Sequence, residues 1–447
     1  MATYDLTRSE LNSLLAADHV DPTVRQSVLQ YLSENGDLSG HGSRVEVQES
    51  GYPPTLDPNA EVLIVDSKST TVQTDMSLKA IIDIADATLA VTGSNNVFVG
   101  TGPGANLVDM RGSSGDDVVV TGSGGQTVLG GQGADSIYAG SGNDSLVGGS
   151  GDFQLLQGGA GHDTLKGGSG EFDTIRGGTG VDHIQGGTGN YELIQADSGG
   201  DTIIGGSGDF DTITGGNSNT SQYADNRYND DDRDRDDRRQ GDDDRYRGGG
   251  HDDHGGSPDD HGLQKGDVII GGNGNFDSIQ GGDGNDTILA GNGSFDTISA
   301  GGGNDAVHGG GGDYELIQGG PGNDSLWGGS GNFDTISGGD GNDHLFGGSG
   351  AAQLIKGGDG NDTLVAGTGG DTLEGGNGND LFVIGRAGND TVVGGSGHHD
   401  QAQFDDTFEN AKIIDSHGGT TVTFSDTGQS IKVTGVEDLV FTDKTVH

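Results

Sequence analysis

The stretch GGDGNDTIL at residues 281–289 is one complete unit of a repeat that dominates the chain. Its template is Gly-Gly-x-Gly-x-Asp-x-apolar-x, which GGPGNDSLW (319–327) and GGDGNDTLV (357–365) also follow. The glycines favour a tight turn, because they reach backbone conformations that other residues avoid. Of the three residues after the aspartate, the middle one is large and apolar. This pattern is typical of a short, half-buried strand. Each unit therefore predicts a turn followed by a strand.

Units of nine and ten residues alternate from Gly148 onward. GGAGHDTLK (158–166) has nine residues, GGSGEFDTIR (167–176) has ten, and GGTGVDHIQ (177–185) has nine again. Each pair predicts one 19-residue coil with two turns and two strands, so that turns of the same type stack on the same edge. The apolar positions are expected to point inward from both strands: Leu165, Ile175, Ile184, Ile194, Ile203 and Ile213. The predicted fold is an all-β parallel solenoid.

These units resemble the haemolysin-type calcium-binding (RTX) repeat, and more than twenty copies cover over half of the chain. The resemblance implies a calcium-stabilised parallel β-roll that holds several Ca²⁺ ions. In that family each ion lies between two successive turns on one edge. It takes backbone carbonyls and a carboxylate from both turns, so each aspartate is shared by two ions. Calcium suits such a site, because it takes about six to eight oxygen ligands.

Transferred to this chain, the resemblance predicts calcium ligands on both edges of the roll. The nonapeptide edge supplies an unbroken series: Asp144, Asp163, Asp182, Asp201, Asp267, Asp286, Asp305, Asp324, Asp343, Asp362 and Asp380. The remaining predicted ligands come from the decapeptide edge and from the first and last repeats: Asp135, Asp173, Asp211, Asp277, Asp296, Asp334, Asp371 and Asp390. The decapeptide edge also has Gln154, Glu192, Glu315 and Gln353 in the acid position. The sequence leaves open whether calcium binds on that edge.

Each decapeptide has one extra residue, an aromatic, just before the acid position. The aromatic residues are Phe153, Phe172, Tyr191, Phe210, Phe276, Phe295, Tyr314 and Phe333, and Ala352 ends the series. In coils about 4.8 Å apart, their rings would form a ladder along one edge. The rings would shield the widened turns by packing on one another. Alternatively, they would form an exposed aromatic stripe that binds another copy of the chain or a polysaccharide. Both alternatives stay open at the level of sequence.

The residues before the repeats predict three segments. Residues 1–36 are expected to form a helical N-terminal cap, since Thr7-x-x-Glu10 is a capping box and Asp21-Pro22 restarts a helix. Residues 37–60 are predicted to be a linker. Residues 61–111 contain apolar runs without the calcium motif, and we expect them to form an irregular, metal-free start of the solenoid.

The roll itself is predicted to span residues 112–400, with one insertion at 217–264. The insertion is rich in Asp and Arg and has almost no apolar residues, which predicts disorder. We expect it to occupy a single turn and to leave the stack in phase, because the cost of closing a loop rises only slowly with its length. Residues 401–447 lose the glycine template and predict a C-terminal β cap. Its end resembles the closing strand of many RTX modules and is expected to carry a secretion signal.

Composition restricts the partners of the chain. The 447 residues carry a formal net charge of -49, so a nucleic acid is not an expected partner, whereas divalent cations are natural counter-ions. The absence of cysteine excludes disulfides and thiolate metal sites. No run is long enough for a membrane span, and the first residues have no apolar segment of the signal-peptide type. The RTX resemblance instead implies type I secretion to the exterior or the cell surface.

Catalytic motifs are missing from the sequence, and we predict that the chain is not an enzyme. There is no HExxH and no Gly-x-Ser-x-Gly, and no Gly-Lys-Ser/Thr follows the glycine-rich units. The histidines of His251-Asp-Asp-His254 and His398-His399 are expected to lie in a solvated loop and a turn. Outward threonines such as Thr164 and Thr202 are too irregular for a convincing ice-binding face.

The sequence therefore predicts a secreted structural β-roll that folds on binding calcium. We expect it in an extracellular assembly such as a surface layer, a filament, a biofilm matrix or an adhesin. A homo-oligomer or filament would then be a natural partner. The alternative is a non-catalytic accessory module that binds a polysaccharide through the aromatic ladder.

Overall fold

From Val62–Val65 to Gln401–Phe404, successive strands of the chain alternate between two parallel β-sheets that face each other, which we call sheet 1 and sheet 2. The computed structural model describes residues 3–35, 38, 44–50, 59–66, 69–74, 78–84, 88–216, 265–416 and 418–447. Each coil contributes one strand to each sheet and pairs in parallel with the coils before and after it. The predicted all-β parallel roll, with a helical N-terminal cap and a β C-terminal cap, is confirmed.

Up to Thr391–Gly395 in sheet 1, the strands of the two sheets follow one another in chain order along the roll; after it, Ser430–Thr434 comes next in space, then Gly419–Phe424 and Ala411–Ser416. The strands of sheet 1 are Thr3–Thr7, Arg44–Ser50, Val62–Val65, Ala80–Asp83, Phe98–Thr101, Val118–Val120, Ser136–Tyr138, Leu155–Ala160, Thr174–Thr179, Leu193–Ser198, Thr212–Gly216, Ser278–Asp283, Thr297–Gly302, Leu316–Pro321, Thr335–Asp340, Leu354–Asp359, Thr372–Asn377, Thr391–Gly395, Ala411–Ser416, Gly419–Phe424 and Ser430–Thr434. The strands of sheet 2 are Ser69–Thr74, Thr88–Gly93, Leu107–Ser113, Thr127–Leu129, Ser145–Val147, Thr164–Lys166, His183–Gln185, Thr202–Ile204, Lys265–Ile270, Asn285–Leu289, Ala306–His308, Ser325–Trp327, His344–Phe346, Thr363–Val365, Leu381–Ile384, Gln401–Phe404, Asp438–Val440 and Thr445–Val446.

The apolar residue of each repeat forms the core between the sheets. In sheet 1, Ile175 pairs in register with Ile194, and in sheet 2, Leu165 pairs with Ile184. The inward side chains of both sheets are almost fully buried in one continuous cluster. The residues that we expected to point inward therefore do so, and the core is a column about two large side chains wide.

Glycine is required where successive turns stack. Gly178 has a φ of 112°, a conformation that residues with a side chain rarely adopt. A Cβ at this position would also collide with the carbonyl group of Gly159 in the previous coil. The repeated Gly-Gly pair is thus explained by backbone conformation and by the close approach of one coil to the next.

Two helices form the N-terminal cap, α1 (Arg8–Ala17) and α2 (Pro22–Glu34). The Glu10 carboxylate accepts a hydrogen bond from the Thr7 backbone N–H at 2.9 Å, as the capping box predicts. At the second helix, the Asp21 carboxylate accepts from the Thr23 N–H at 2.8 Å. Both helix starts were therefore correctly predicted.

The helices cover the side of the first coils. Their apolar faces pack on the outer face of sheet 1, where Val62, Ile64, Ala80, Ile82 and Phe98 are buried. Strands in this region are consequently buried on both faces. This explains why their sequences are continuous apolar runs, whereas the later repeats alternate.

The segment 37–60, predicted to be a linker, contains a strand, and that part of the prediction was wrong. Residues Arg44–Ser50 pair in parallel with Val62–Val65 and antiparallel with Thr3–Thr7. The first coil of sheet 1 thus gains two further strands, which satisfy backbone groups that an open sheet end would expose. The sequence did not indicate this strand, because many glycines and prolines surround it.

The stack stays in phase across the insertion. Ile203 pairs with Ile269 in sheet 2, and Ile213 pairs with Ile279 in sheet 1, as the 19-residue period requires. The predicted disorder of residues 217–264 lies outside the described residues. Because the strands on both sides are in register, the chain leaves and rejoins the roll at the same turn.

Removal of the insertion is expected to preserve the fold. A three-residue x-Gly-x link between Gly216 and Asp267 would restore a regular nonapeptide turn. Circular dichroism should then show the same calcium-induced β-structure as the natural chain, and protease should cut the natural chain first within residues 217–264. A shortened chain that stays unfolded in calcium would instead show that the insertion contributes to folding.

The C-terminal cap continues both sheets and then closes them. Ser430–Thr434 pairs in parallel with Thr391–Gly395, and Asp438–Val440 pairs in parallel with Gln401–Phe404. Antiparallel pairing is confined to the added strands around them. Parallel pairing at these two positions preserves the direction of each sheet, and the buried rings of Phe404, Phe424 and Phe441 cover the end of the core.

Candidate metal sites

A continuous row of aspartates runs along the nonapeptide edge, in the turns that precede the strands of sheet 2. The Oδ1 atom of each aspartate accepts a hydrogen bond from the backbone N–H of the equivalent residue one coil earlier, at 2.7–2.9 Å. The row begins at the Gln126 N–H and continues to Asp400, whose own N–H donates to Glu437 at 3.0 Å. One carboxylate oxygen per coil is thus fixed by the neighbouring coil.

The second oxygen, Oδ2, has no hydrogen-bond partner among the described residues at most members of this row. These members are Asp144, Asp163, Asp182, Asp201, Asp286, Asp305, Asp324, Asp343, Asp362, Asp380 and Asp400. A Cβ built on Gly177 would lie 2.6 Å from Asp182 Oδ2 and 2.7 Å from the Ala196 carbonyl oxygen of the next coil. Two acceptor atoms therefore face the same small space, and the Oδ2 atom has no donor among the described residues. A buried acceptor without a donor is rare in proteins, and a cation between the two oxygens would satisfy it.

Burial also raises the pKa of these carboxyl groups. Desolvation raises the pKa of Asp182 and Asp324 to about 6 and that of Asp362 to about 7. For Asp362, the carboxylates of Asp343 and Asp380 raise it further. A full row of ionised carboxylates is therefore costly in the folded chain, unless positive charge is bound between them.

The decapeptide edge, in the turns that precede the strands of sheet 1, has an interrupted row. Asp277 Oδ1 accepts from the Asp211 N–H, and Asp296 Oδ1 accepts from the Asp277 N–H, both at 2.9 Å. Longer side chains break the pattern by accepting from a glycine N–H of their own turn: Gln154 from Gly149 at 2.7 Å, Glu192 from Gly187 at 2.9 Å and Glu315 from Gly310 at 3.1 Å. Their extra methylene group lets them fold back, so the bond to the previous coil is lost.

Donors from the protein also occupy some oxygens on this edge. Gln353 Nε2 donates to Asp334 Oδ2 at 3.3 Å, and the Gly367 N–H donates to Asp371 Oδ2 at 2.9 Å. Burial raises the pKa of Glu192 and Glu315 to about 8, so these groups favour the neutral form near neutral pH. Asp173, Asp296 and Asp390 on this edge still have an Oδ2 atom without a partner among the described residues. The two edges therefore differ in charge and in the continuity of the row of available carboxylate oxygens.

The structure brings the predicted ligands together in two rows, and each is at most 3% exposed. Asp135 and Asp390 belong to the decapeptide edge. Protein donors also reach two further Oδ2 atoms of the predicted ligands: Asp135 Oδ2 accepts from the Gly131 N–H at 2.9 Å and Asp267 Oδ2 from the Gly216 N–H at 2.6 Å.

Sequence reasoning missed one buried aspartate at each end of the roll. Asp117 belongs to GSSGDDVVV (112–120), which carries the turn template with Ser113 in place of the second glycine. Asp400 follows GGSGHH (394–399), which has decapeptide spacing with histidine in place of the aromatic. Both have a buried Oδ2 without a hydrogen-bond partner among the described residues. The spacing alone could have identified both.

Comparison with protein families agrees with this geometry. A family model described as the RTX calcium-binding nonapeptide repeat (4 copies) matches residues 120–152, 155–171, 171–190, 261–294, 288–316, 314–332, 333–354, 356–383 and 382–398. The repeat region belongs to the RTX family. A comparison with curated proteins gave no match.

The RTX turns of this chain fit calcium by their donor set. They offer carboxylate and carbonyl oxygens, which are the ligands of hard divalent cations, and the orphaned Oδ2 atoms are aimed toward carbonyls of the next coil. Among the described residues, no three Asp, Glu or His side chains converge as a metal cluster. An ion here would thus take much of its coordination from backbone carbonyls. Its charge would compensate the stacked carboxylates.

Aromatic side chains form the predicted ladder on the decapeptide edge of the RTX roll. In the described part of the chain, eight rings from Phe153 to Phe333 stack with centroids 5.0–5.2 Å apart and planes within 14° of parallel. We call this set the ring ladder: Phe153, Phe172, Tyr191, Phe210, Phe276, Phe295, Tyr314 and Phe333. The stack crosses the insertion without a break, since Phe210 and Phe276 are 5.0 Å apart.

Every residue of the ring ladder has a positive φ, between 60° and 65°. Left-handed backbone costs an ordinary residue about 1–2 kcal/mol. Stacking of adjacent rings contributes about 0.5–1.5 kcal/mol per pair, which is similar in size. The rings therefore offset their own strain by packing on one another. Even so, they remain 42–65% exposed.

Two other features bear on function. His398 and His399 are exposed, consistent with the turn that we expected there. No helix among the described residues is long and apolar enough to cross a membrane.

Proposed function

We propose that the nonapeptide edge binds a row of calcium ions, each between two successive turns, and that this binding folds the RTX roll. The observation that carries this proposal is the row of buried Oδ2 atoms that have no donor among the described residues, from Asp144 to Asp400 with the exception of Asp267. Oδ1 is fixed by the neighbouring coil, so Oδ2 is the atom left for the ion. The remaining predicted ligands, on the decapeptide edge, are proposed as a weaker set.

Asp305→Asn is expected to weaken calcium-induced folding more than Asp296→Asn. Both substitutions keep an oxygen for the inter-coil hydrogen bond and replace one charged oxygen by an NH₂ group. Asp305 lies in the continuous row, whereas the coil after Asp296 carries Glu315, which folds back. Loss of a charged ligand should raise the calcium concentration at which half of the chain is folded about tenfold for Asp305→Asn. Circular dichroism measures this concentration. Equal shifts for the two variants would contradict the difference between the edges.

The Asp305→Asn variant has a second expected property. Its amide NH₂ group could donate where Asp305 Oδ2 has no donor, and burial raises the pKa of the Asp305 carboxyl to about 6. In chelator at pH 8, this variant should therefore be no less structured than the natural chain. The paired measurement separates a loss of calcium binding from a general loss of stability.

We infer that the folded roll is a secreted structural protein without catalytic activity. A site of this kind with millimolar affinity stays empty in the cytosol and fills outside the cell, since extracellular calcium modules bind at about 10⁻⁴–10⁻³ M. A chain with a net charge of -49 would then remain unfolded before export and fold after it. RTX repeats are typical of secreted proteins, which supports type I secretion as the route.

An extracellular assembly is the role that we propose for the folded chain: a surface layer, filament, biofilm matrix or adhesive coat. A uniform, rod-like roll suits such a role, because it presents the same surface at every coil. Electron microscopy of purified protein should show ordered polymers in calcium and none in chelator. Dispersed rods in calcium at high protein concentration would contradict the assembly.

A polysaccharide-binding accessory role is the alternative, and the ring ladder fits it less well. Sugars bind aromatic side chains through the ring faces. Here neighbouring rings cover each other's faces and leave only their edges exposed. Retention of the folded chain on immobilised alginate or cellulose, lost on ring substitution, would favour this alternative.

A further inference from the structure

We propose that the ring ladder is a docking surface for a second copy of this chain, so that two folded rolls associate ladder against ladder. This inference rests on the proposed calcium-dependent folding and specifies the first contact of the assembly. Three observations carry it: the exposed apolar area, the geometry of the rings and the position of the ladder on the roll.

The exposed area matches that of a stable interface. The rings are 42–65% exposed although they stack along their whole length. An aromatic side chain has a surface of roughly 150–250 Å², and about half of that surface is exposed here. Summed over the ring ladder, the exposed aromatic area is on the order of 800 Å². A standard protein interface buries about 800 Å² on each partner. The ladder alone thus supplies the apolar area that one partner of a dimer needs.

The geometry restricts what can cover this area. Ring faces are already paired within the chain, at interplanar angles of 3–14°, so an occupant must pack against the ring edges. A second ladder meets this requirement, because its ring edges repeat at the same spacing of about 5 Å and can pack in register against the ring edges of the first. Two identical stripes related by a twofold axis form a closed, self-complementary contact. The expected product of this contact is therefore a dimer.

The ladder is also accessible from solvent on the described part of the roll. The insertion leaves after Gly216 and returns at Lys265, in a turn of the nonapeptide edge, opposite the ladder. The N-terminal helices cover coils that precede Phe153, the first ring.

Charge beside the ladder gives the contact a distinctive salt dependence. Acidic residues directly precede several rings: Asp152, Glu171, Asp209 and Asp313. Two copies would bring these rows near each other, and salt screens such repulsion over about 8–10 Å. Added NaCl should therefore tighten the dimer at constant calcium.

The test is sedimentation equilibrium in calcium, with circular dichroism to verify folding. The natural chain should approach twice its mass of 45.2 kDa. The triple variant Phe210→Asn, Phe276→Asn, Phe295→Asn removes the central rings. Asparagine tolerates positive φ, so the turns should persist. Its dissociation constant should rise at least about tenfold, because central aromatic residues dominate interface energy.

A matched control removes exposed apolar residues elsewhere: Val181→Thr, Leu289→Thr and Ile414→Thr, which lie outside the ladder. This variant should dimerise like the natural chain. Should the ladder variant fail to fold, the salt series on the natural chain decides instead. A natural chain that is folded but monomeric at about 100 µM would overturn the proposal, as would an unchanged dimer in the ladder variant or a dimer that weakens with NaCl. None of these results would affect calcium-induced folding, which circular dichroism reports separately.

Discussion

Excess chelator at pH 8 is expected to remove the β-type circular dichroism of the repeat region, and millimolar calcium is expected to restore it. Without a cation, adjacent carboxylates about 5 Å apart repel each other by roughly 1–3 kcal/mol. Over the row from Asp144 to Asp400, this repulsion rivals the whole stability of an ordinary domain, about 5–15 kcal/mol. Each coil has only two inward apolar residues to oppose it.

Fluorescence of the single tryptophan gives an independent measurement. Trp327 stacks between His308 and Phe346 on sheet 2, with ring centroids 4.1 and 5.3 Å away, so its emission should change as neighbouring coils form. Magnesium should replace calcium poorly, because it requires tighter octahedral coordination. A chain with full β signal and unchanged tryptophan emission in chelator at pH 8 would show that calcium is not needed for the fold.

Acidification should partly replace calcium. In the calcium-free folded state, burial raises the pKa of Asp324 to about 6, that of Asp362 to about 7 and that of Glu315 to about 8. These values lie above about 4, the pKa of an unfolded carboxyl. The folded chain thus binds more protons than the unfolded chain between about pH 4 and pH 8. Its stability must rise as the pH falls through that window, and it is lost as the pH rises.

A pH series in chelator tests this expectation. Circular dichroism should show little β-structure at pH 8 and substantially more at pH 5. In saturating calcium the signal should change little over the same range, because bound ions then compensate the carboxylates. A decrease of β-structure between pH 8 and pH 5 in chelator would contradict the burial of these groups.

The sequence predicted the parts of the structure that depend on the period. Ile175 and Ile194 lie 19 residues apart and pair in register, and Asp163 and Asp182 stack at the same spacing. Repetition makes this prediction robust, since one coil determines the next. The capping box at Thr7 and Glu10 was equally readable, because it is a local motif.

Other features depend on contacts that no single segment reveals. The helices pack on the outer face of sheet 1 because Ile64 and Ile82 offer an apolar surface there, and the sequence does not show which element covers it. The strand Arg44–Ser50 exists through its pairing with distant residues.

Side-chain length explains the remaining differences in the turns of the decapeptide edge. Glu315 and Asp334 occupy equivalent positions, yet only the longer side chain folds back on its own turn. The aromatic residue that each decapeptide adds has a positive backbone φ. This strained conformation cannot be predicted from amino-acid composition.

The number of calcium ions bound per folded chain tests the central claim most directly. Along the described nonapeptide edge, twelve aspartates from Asp144 to Asp400 form eleven adjacent pairs. Equilibrium dialysis with elemental analysis should therefore find about nine to eleven tightly bound ions, because Asp267 Oδ2 already accepts from the Gly216 N–H and the two sites that share Asp267 are less complete. It should find about two fewer in Asp305→Asn, since each aspartate is shared by two sites. A folded chain that holds only one or two ions, or an unchanged count in the variant, would contradict the row of shared sites.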